Sequence, residues 1–174
     1  NKNLWGFVAI AFNRVDVDRL KLVGPDRLCA EWMLKNGGAV RFTSSPDLLV
    51  DNYNVLPPEN VRLRIKEIDA TDSSIMRIGL DHLKNCTKID TVVLHNCKHL
   101  EEGSLEGLSH IKSTLKKLQV SGCYNFGGQC LLPIKDLTSL EQLKVFDMPY
   151  VKNIETVALE LHKALPKCVM DIVK

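Results

Sequence analysis

The sequence lacks the short motifs that mark the common classes of enzyme. It has no GxxxxGK[ST] phosphate loop and no GxGxxG turn, so a nucleotide would not find its usual backbone cradle. It also has neither the GxSxG of a nucleophile elbow nor the HExxH of a zinc-dependent hydrolase. The five histidines do not stand beside a candidate nucleophile. We therefore expect a protein without enzymatic activity.

A long apolar run and a strong net charge are also missing. A membrane-spanning helix needs roughly 18 consecutive apolar residues, whereas the longest run here, residues 4–12, has nine. The net charge of +2 is too small to favour nucleic acid or a polybasic membrane anchor. The six cysteines contain no CxxC pair and lack the dense spacing of a disulfide scaffold, which favours a reducing compartment.

What the sequence does contain is an apolar pattern that recurs four times between residues 65 and 148. The second position of the pattern falls at Ile68, Val92, Leu118 and Leu143. The periods are therefore 24, 26 and 25 residues. Periods of about 20–29 residues are typical of leucine-rich repeats. A second apolar pattern with helical spacing follows in each copy, so we predict one short strand and one helix per repeat.

Cys97 and Cys123 close the apolar pattern in the second and third copies. A free cysteine behaves as a small hydrophobe, so we interpret both as structural positions of the repeat, together with Val92, Leu118 and Leu143. The motif His95-x-Cys97-x-His99 is the nearest approach to a zinc cluster. Because the repeat assigns Cys97 to the interior, we interpret the two histidines as solvent-facing loop residues.

These patterns predict an α/β fold. We expect a leucine-rich-repeat solenoid of about four strand–helix repeats with a parallel sheet, in residues 61–174. A small, mainly helical N-terminal domain, residues 1–60, caps it. A helix from Ile154 to Leu165 and a last strand near Val169–Val173 complete the predicted stack.

The predicted elements of the N-terminal domain follow from its capping signals. Asp16 to Leu22 reads as a short helix that Gly24 ends, and Pro25 opens a second helix that stops at Asn36-Gly37-Gly38. A short strand is predicted from Ala39 to Phe42. Residues 44–58 are rich in proline and asparagine and predict turns.

Two segments are candidates for contact with a partner. Residues 4–12 are apolar on nearly every side, so they either pack on their own domain or dock on a membrane surface or a partner subunit, with Trp5 and Phe7 as contact residues. Arg62, Arg64 and Lys66 alternate with apolar residues and predict three cations on one strand face. That face is either simply solvated or in contact with an anionic partner.

A candidate cation site lies in Asp69-Ala70-Thr71-Asp72-Ser73. Its carboxylates and hydroxyls come where the first repeat strand ends, next to the predicted turn at Gly37. Oxygen ligands of this kind suit a hard cation such as Mg²⁺. A capping box or a solvent-facing edge is the alternative interpretation.

Several motifs together resemble one known family. They are Trp5-Gly6, Val15-Asp16-x-Asp18-Arg19, Val23-Gly24-Pro25-Asp26-Arg27, Glu31-Trp32-x-Leu34, Asp51-x-Tyr53-Asn54-x-Leu56-Pro57 and Ile68-Asp69-Ala70-Thr71-Asp72-Ser73. They are similar to the mitochondrial coupling factor B family, also called ATP synthase subunit s. The likeness is dense in residues 14–82 and more diffuse in the later repeats.

The resemblance implies a peripheral protein on the matrix side of the inner mitochondrial membrane. It implies a non-catalytic coupling factor that docks on the membrane sector of ATP synthase, supports proton conduction and blocks proton leak. It also implies a bound Mg²⁺ near Gly37 and Thr71. The family's Cys-x-Cys pair in the second repeat is replaced here by His95-x-Cys97, which puts a dithiol mechanism in doubt.

Two other functions are alternatives. The same surfaces suit an assembly factor that holds intermediates of the distal membrane arm of complex I, a role to which the resemblance also extends. Repeats of the cysteine type also occur in ubiquitin-ligase adaptors. No helical F-box pattern is evident before residue 60.

Overall fold

The computed structural model describes the backbone of residues 2–173 and the side chains of residues 6–173. Three helices come first: α1 (Lys2–Asn13), α2 (Val17–Val23) and α3 (Pro25–Lys35). The carboxylate of Asp16 caps α2 by accepting the backbone N–H groups of residues 18 and 19 at 3.0 and 2.9 Å. Gly24, with φ of 79°, ends α2, and Pro25 begins α3. Both helices therefore form where their capping residues predict.

A single sheet of seven strands follows. The strands are β1 (Ala39–Phe42), β2 (Ser45–Val50), β3 (Ile65–Asp69), β4 (Thr91–His95), β5 (Lys117–Ser121), β6 (Gln142–Phe146) and β7 (Val169–Ile172). Their order in the sheet is β2-β1-β3-β4-β5-β6-β7. Strands β3 to β7 are parallel, while β1 pairs antiparallel with both β2 and β3. The protein is thus an α/β protein with a mostly parallel sheet.

The sheet register brings the recurring apolar residues together. Ile68 pairs with Val92, Val92 with Leu118, and Leu118 with Leu143. All four are no more than 2% exposed. The steps of 24, 26 and 25 residues therefore correspond to one strand each. These strands also contribute to one continuous hydrophobic core that extends from Cys29 to Cys168.

The segments between the parallel strands differ from the prediction. Three of them are 3-10 helices, Arg77–Leu83, Ser104–Ile111 and Leu132–Asp136, and only α4 (Ile154–Ala164) is an α-helix. A 3-10 helix is tighter and suits short connections. Close packing also restricts the first of them, because a Cβ on Gly79 would lie 2.6 Å from Nε1 of Trp32.

The prediction of turns throughout residues 44–58 is wrong in part. Ser45–Val50 forms β2, which pairs with β1 across an irregular register, and Tyr53–Val55 is a short 3-10 helix. Pro46 favours a turn by its residue type. However, β2 is an edge strand, where the missing backbone N–H of a proline is tolerated. Strand β1 connects this part of the chain to β3, and the division of the chain at residue 60 stays a prediction.

A residue in the left-handed conformation follows each of β3, β4, β5 and β6. These residues are Asp72, Asn96, Gly122 and Asp147, with φ of 58°, 52°, 60° and 53°. They repeat with the same steps as the strands. Within residues 2–173, no helix combines the length and the apolar composition that a bilayer crossing requires.

Candidate docking surfaces

Helix α1 presents an apolar surface to solvent. Phe7 is 72% exposed, Phe12 52% and Val8 37%. Residues 6–13 contain no charged side chain. Such a surface normally marks a contact with a membrane or a protein. The side chain of Trp5, the other predicted contact residue, lies outside the described residues.

The end of α1 is fixed by Asn13, which is fully buried. Its amide nitrogen donates to Oδ1 of Asn36 at 3.1 Å and to the carbonyl of Ser74 at 3.2 Å. Its amide oxygen accepts from Nε1 of Trp32 at 3.1 Å and from the backbone N–H of Met76 at 2.8 Å. One side chain thus joins α1 to α3 and to the segment after β3. Sequence reasoning missed Asn13, because an asparagine at a helix end gives no signal of burial.

Exposed apolar side chains are concentrated in the first third of the chain. Of sixteen large hydrophobic residues that are exposed in the described part, ten lie between residues 7 and 61. Besides those of α1, they are Val17, Leu22, Leu48, Leu49, Tyr53, Val55 and Val61. Exposed apolar side chains are therefore a feature of the N-terminal part rather than of α1 alone.

The three predicted cations do not share a strand face. Strand β3 begins at Ile65, so Arg62 and Arg64 precede it and only Lys66 belongs to it. Arg64 donates at 2.9 Å to the carboxylate of Asp26, whose other oxygen accepts the N–H of Ile65 at 2.8 Å. Because Asp26 is buried, Arg64 serves an internal ion pair. Docking through these cations stays a prediction.

The two residues implied in magnesium binding lie on adjoining segments. A Cβ on Gly38 would lie 2.8 Å from the carbonyl oxygen of Asp69, so the turn that contains Gly37 packs beside the end of β3. The hydroxyl of Thr71 donates to the carboxylate of Asp69 at 2.6 Å and keeps its lone pairs available. Hydroxyl and carboxylate oxygens are the type of ligand that Mg²⁺ prefers, and binding of the ion here stays a prediction. Among residues with described side chains, no group of three or more His, Cys, Asp or Glu is arranged to hold a metal.

The thiols of the second and third repeats are internal. Cys97 is fully buried and donates to the carbonyl of Ala70 at 3.1 Å. A hydrogen bond with the thiol of Cys123, together with burial, raises the pKa of Cys97 well above its usual value. Burial also raises the pKa of Cys130, to about 12. Cys97 and Cys130 therefore stay protonated at neutral pH, which makes them poor nucleophiles and metal ligands. The hydrogen bond with Cys97 instead lowers the pKa of Cys123.

His95 is not the loop residue that we expected. It is the last residue of β4 and half-buried, and its Nδ1 lies 2.8 Å from the hydroxyl of Ser121. Its ring also stacks on Phe146 at 6.2 Å between centroids. The strand register extends to this position, so His95 belongs to β4 and not to the loop that follows it.

The second surface is the solvent side of β4, β5 and β6, which we call the open strand face. Along each strand, buried residues alternate with less buried ones, except that Ser121 at the end of β5 is buried. The open strand face consists of Thr91, Val93, His95, Lys117, Gln119, Gln142, Lys144 and Phe146. A groove of about 330 Å³ runs over it and reaches Val169 and Asp171 of β7.

The fold and these surfaces define a class: an α/β protein with regularly spaced parallel strands, an exposed apolar helix and an open strand face. No protein-family model matches the chain. Mitochondrial ATP synthase subunit s of Rattus norvegicus is 36% identical over 170 residues, which are 95% of this chain and 84% of that protein. The Bos taurus and Homo sapiens proteins of that name are 34% and 33% identical over the same shares. The chain belongs to the mitochondrial ATP synthase subunit s family, which confirms the resemblance of its motifs.

Proposed function

We propose that this chain is a non-catalytic coupling and regulatory factor of mitochondrial ATP synthase. It docks on the membrane sector of the enzyme, supports proton conduction there and blocks proton leak. Family membership supports the choice of complex, since the relatives are named as a subunit of ATP synthase. Their names give no support to complex I assembly or to a ubiquitin-ligase adaptor.

The observation that carries docking is the uncharged, exposed surface of α1. Leaving Phe7 and Phe12 in water costs free energy, about 25 cal/mol for each Å² of apolar surface. A membrane surface or an apolar protein groove removes that cost. We therefore place the chain at the matrix side of the inner mitochondrial membrane, as a peripheral protein that contacts the membrane sector through α1.

We test this with the double variant Phe7→Asp/Phe12→Asp. Charges on the exposed side of α1 oppose burial in an apolar environment, so recovery of the chain with ATP synthase from detergent-solubilised mitochondria should fall at least tenfold. The control is Leu159→Asp. Leu159 is also exposed, at 61%, but it belongs to α4 and is distant from α1 in the sequence. Circular dichroism should be unchanged in both variants.

Other outcomes of this experiment contradict the proposal. Equal recovery of the double variant and the control excludes docking through α1. Recovery of the wild-type chain with partly built complex I, and not with ATP synthase, supports the assembly-factor alternative. Loss of the chain should then lower complex I activity and spare ATP synthesis.

We further propose the finer architecture that the sequence predicts. In-register parallel strands at steps of 24, 26 and 25 residues support a leucine-rich-repeat solenoid in residues 61–174. Residues 1–60 contribute α1, α2 and α3 and act as its cap. Capping repeats or domains cover the apolar end of such stacks.

We also propose that Gly37 and Thr71 help to hold Mg²⁺, as the resemblance implies. The ion would supply a fixed positive charge that ties the turn at Gly37 to the end of β3. In Thr71→Ala, magnesium measured by elemental analysis of the purified chain should fall by at least half. The control is Thr91→Ala, since the Thr91 hydroxyl likewise donates to a neighbouring carboxylate, that of Asp90, at 2.7 Å. Equal magnesium in the wild type and Thr71→Ala contradicts the site.

A further inference from the structure

The imidazole of His82 is fixed in one neutral form. His82 belongs to the 3-10 helix Arg77–Leu83 and is 5% exposed. Its ring stacks on that of Trp32, with 4.9 Å between the centroids and 1° between the planes. Burial lowers the pKa of His82, so the ring is neutral at pH 7. Nδ1 lies 2.9 Å from the carbonyl oxygen of Gly79, which can only accept, so Nδ1 carries the proton and Nε2 is an acceptor.

Nε2 of His82 opens onto free space inside the protein. No group within the described part of the chain donates a hydrogen bond to it, since the ring is held only through Nδ1. In residues 6–173, every side-chain nitrogen or oxygen that is sealed from water has a hydrogen-bond partner. Nε2 is therefore not sealed, although the residue as a whole is nearly buried. An acceptor in this position costs free energy unless water or a ligand donates to it.

Two cavities border the His82 ring, and Leu28 lines both of them as well. One has a volume of about 170 Å³ and lies between α2, α3 and the 3-10 helix of His82. The other, of about 190 Å³, lies toward α1 and is lined by charged, exposed side chains such as Arg14, Asp16 and Lys35. Nε2 opens toward this pair of cavities, and an apolar ligand prefers the first, because the second would place it against solvated charges.

The first cavity, which we call the His82 cavity, has an apolar wall. Besides His82, its inner side chains are Val15, Leu20, Pro25 and Leu28. Asp81 and Lys84 also line it, but both are more than half exposed and pair with each other at 3.0 Å. An engineered apolar cavity of about 150 Å³ is large enough to bind benzene. The His82 cavity thus suits one small ring, and its paired charges favour neither a cation nor an anion.

We propose that the His82 cavity binds a small neutral ligand that has one hydroxyl group on a ring, a phenol or a cyclic alcohol. The hydroxyl donates to Nε2 of His82, and the ring packs against the apolar wall. Binding then satisfies a nearly buried acceptor and removes apolar surface from water in the same step. Neither Phe7 nor Phe12 lines this cavity, so the inference goes beyond the proposed function and does not depend on it.

The experiment compares phenol with toluene, in which a methyl group replaces the hydroxyl. The purified full chain carries Trp5→Phe, so that tryptophan fluorescence reports on Trp32 and its stack with His82. In His82→Phe the ring beside Trp32 is kept and the acceptor is lost. The ratio of phenol affinity to toluene affinity should therefore fall at least tenfold in this variant, because only His82 offers the hydroxyl a partner.

The matched control is His162→Phe, which makes the same change at an exposed position of α4. It should keep the affinity ratio within twofold of the value for His82. A second measurement does not require a variant at His82 to fold. In the wild-type chain, phenol should shift the NMR resonance of Nε2 in His82 and leave the ring nitrogens of His162 unchanged.

Several outcomes overturn the inference. Absence of saturable phenol binding to the wild-type chain shows that water alone serves Nε2. An unchanged affinity ratio in His82→Phe excludes the hydrogen bond from the hydroxyl. A phenol-induced shift at His162 as large as that at His82 shows unspecific binding. Each result is separable from docking through α1, which is tested by recovery with ATP synthase and depends on Phe7 and Phe12.

Discussion

A buried carboxylate, that of Glu31, holds together the helices that precede the sheet. Glu31 is 1% exposed and accepts from Arg19 at 2.6 Å and from Arg27 at 3.1 Å. Burial by itself would raise the pKa of Glu31, but the hydrogen bonds from the two arginines outweigh burial and hold the pKa below its usual value. Arg27 also donates to the carbonyl of Pro57 at 2.6 Å. The ionised carboxylate thus connects α2, α3 and the segment before β3.

This arrangement predicts how stability depends on pH. The pKa of Glu31 is lower in the folded chain than in the unfolded chain, where it is about 4.3. The ionised Glu31 therefore contributes fully to the free energy of unfolding above the unfolded-state pKa. This contribution is lost as the pH falls through the lower pKa of the folded chain. Glu31→Gln should reduce the free energy of unfolding by about 3 kcal/mol at pH 7, because it removes the carboxylate partner of the buried Arg27 and leaves Arg19 only the exposed Glu59. Urea denaturation at several pH values between 7 and 3 measures this difference.

The matched control for Glu31→Gln is Glu141→Gln. Glu141 pairs with Lys116 at 2.8 Å, but both side chains are more than half exposed. Solvent screens such an exposed pair, so it contributes little to stability and the control should stay near wild type. The difference between wild type and Glu31→Gln should shrink below about pH 4. A difference that stays constant from pH 7 to pH 3 contradicts the role of the ionised carboxylate.

At the scale of the element, α1 depends on few contacts. Its exposed residues bury little surface, and its described end is held by the hydrogen bonds of Asn13. A segment of this kind opens locally more easily than the core. Firm attachment matters for the proposed function, since α1 transmits a docking contact only when it is joined to the rest of the protein.

Asn13→Ala should therefore loosen α1 selectively. It leaves Nε1 of Trp32 and the N–H of Met76 without their acceptor, at a cost of about 1–3 kcal/mol for each buried group. Hydrogen exchange followed by mass spectrometry should show at least tenfold faster exchange in residues 6–13 and unchanged exchange in β4–β6. Asn60→Ala, at an exposed position, is the control. Uniformly faster exchange in all elements would instead show that Asn13 stabilises the whole fold.

The sequence predicts elements well where the signal is local. Asp16, Gly24 and Pro25 set the boundaries of α2 and α3, because capping acts within a few residues. Strand β2 was not predicted, because its pairing with β1 outweighs the turn preference of Pro46. The 3-10 helices were predicted only as helical segments. The first of them, Arg77–Leu83, packs closely on the distant Trp32 at Gly79, a contact that no local pattern reports.

At the scale of the whole molecule, the sheet was predictable because its information is periodic. A constant step predicts which residues pair, and Val92 does pair with Leu118. The candidate surfaces were less predictable. Arg64 pairs with the buried Asp26, 38 residues away, and the open strand face combines residues from three strands. Both depend on long-range contacts that alternation within one strand does not reveal.

The left-handed residues after the strands constrain how this sequence can change over evolution. Asp72, Asn96, Gly122 and Asp147 occupy a backbone conformation that asparagine, aspartate and glycine adopt readily and that valine or isoleucine resists. Substitutions at these four sites are therefore restricted to a few residue types, whatever selection a binding partner imposes elsewhere in the chain. The left-handed backbone conformation of these turns, and not the chemistry of their side chains, therefore preserves the regular spacing of the strands.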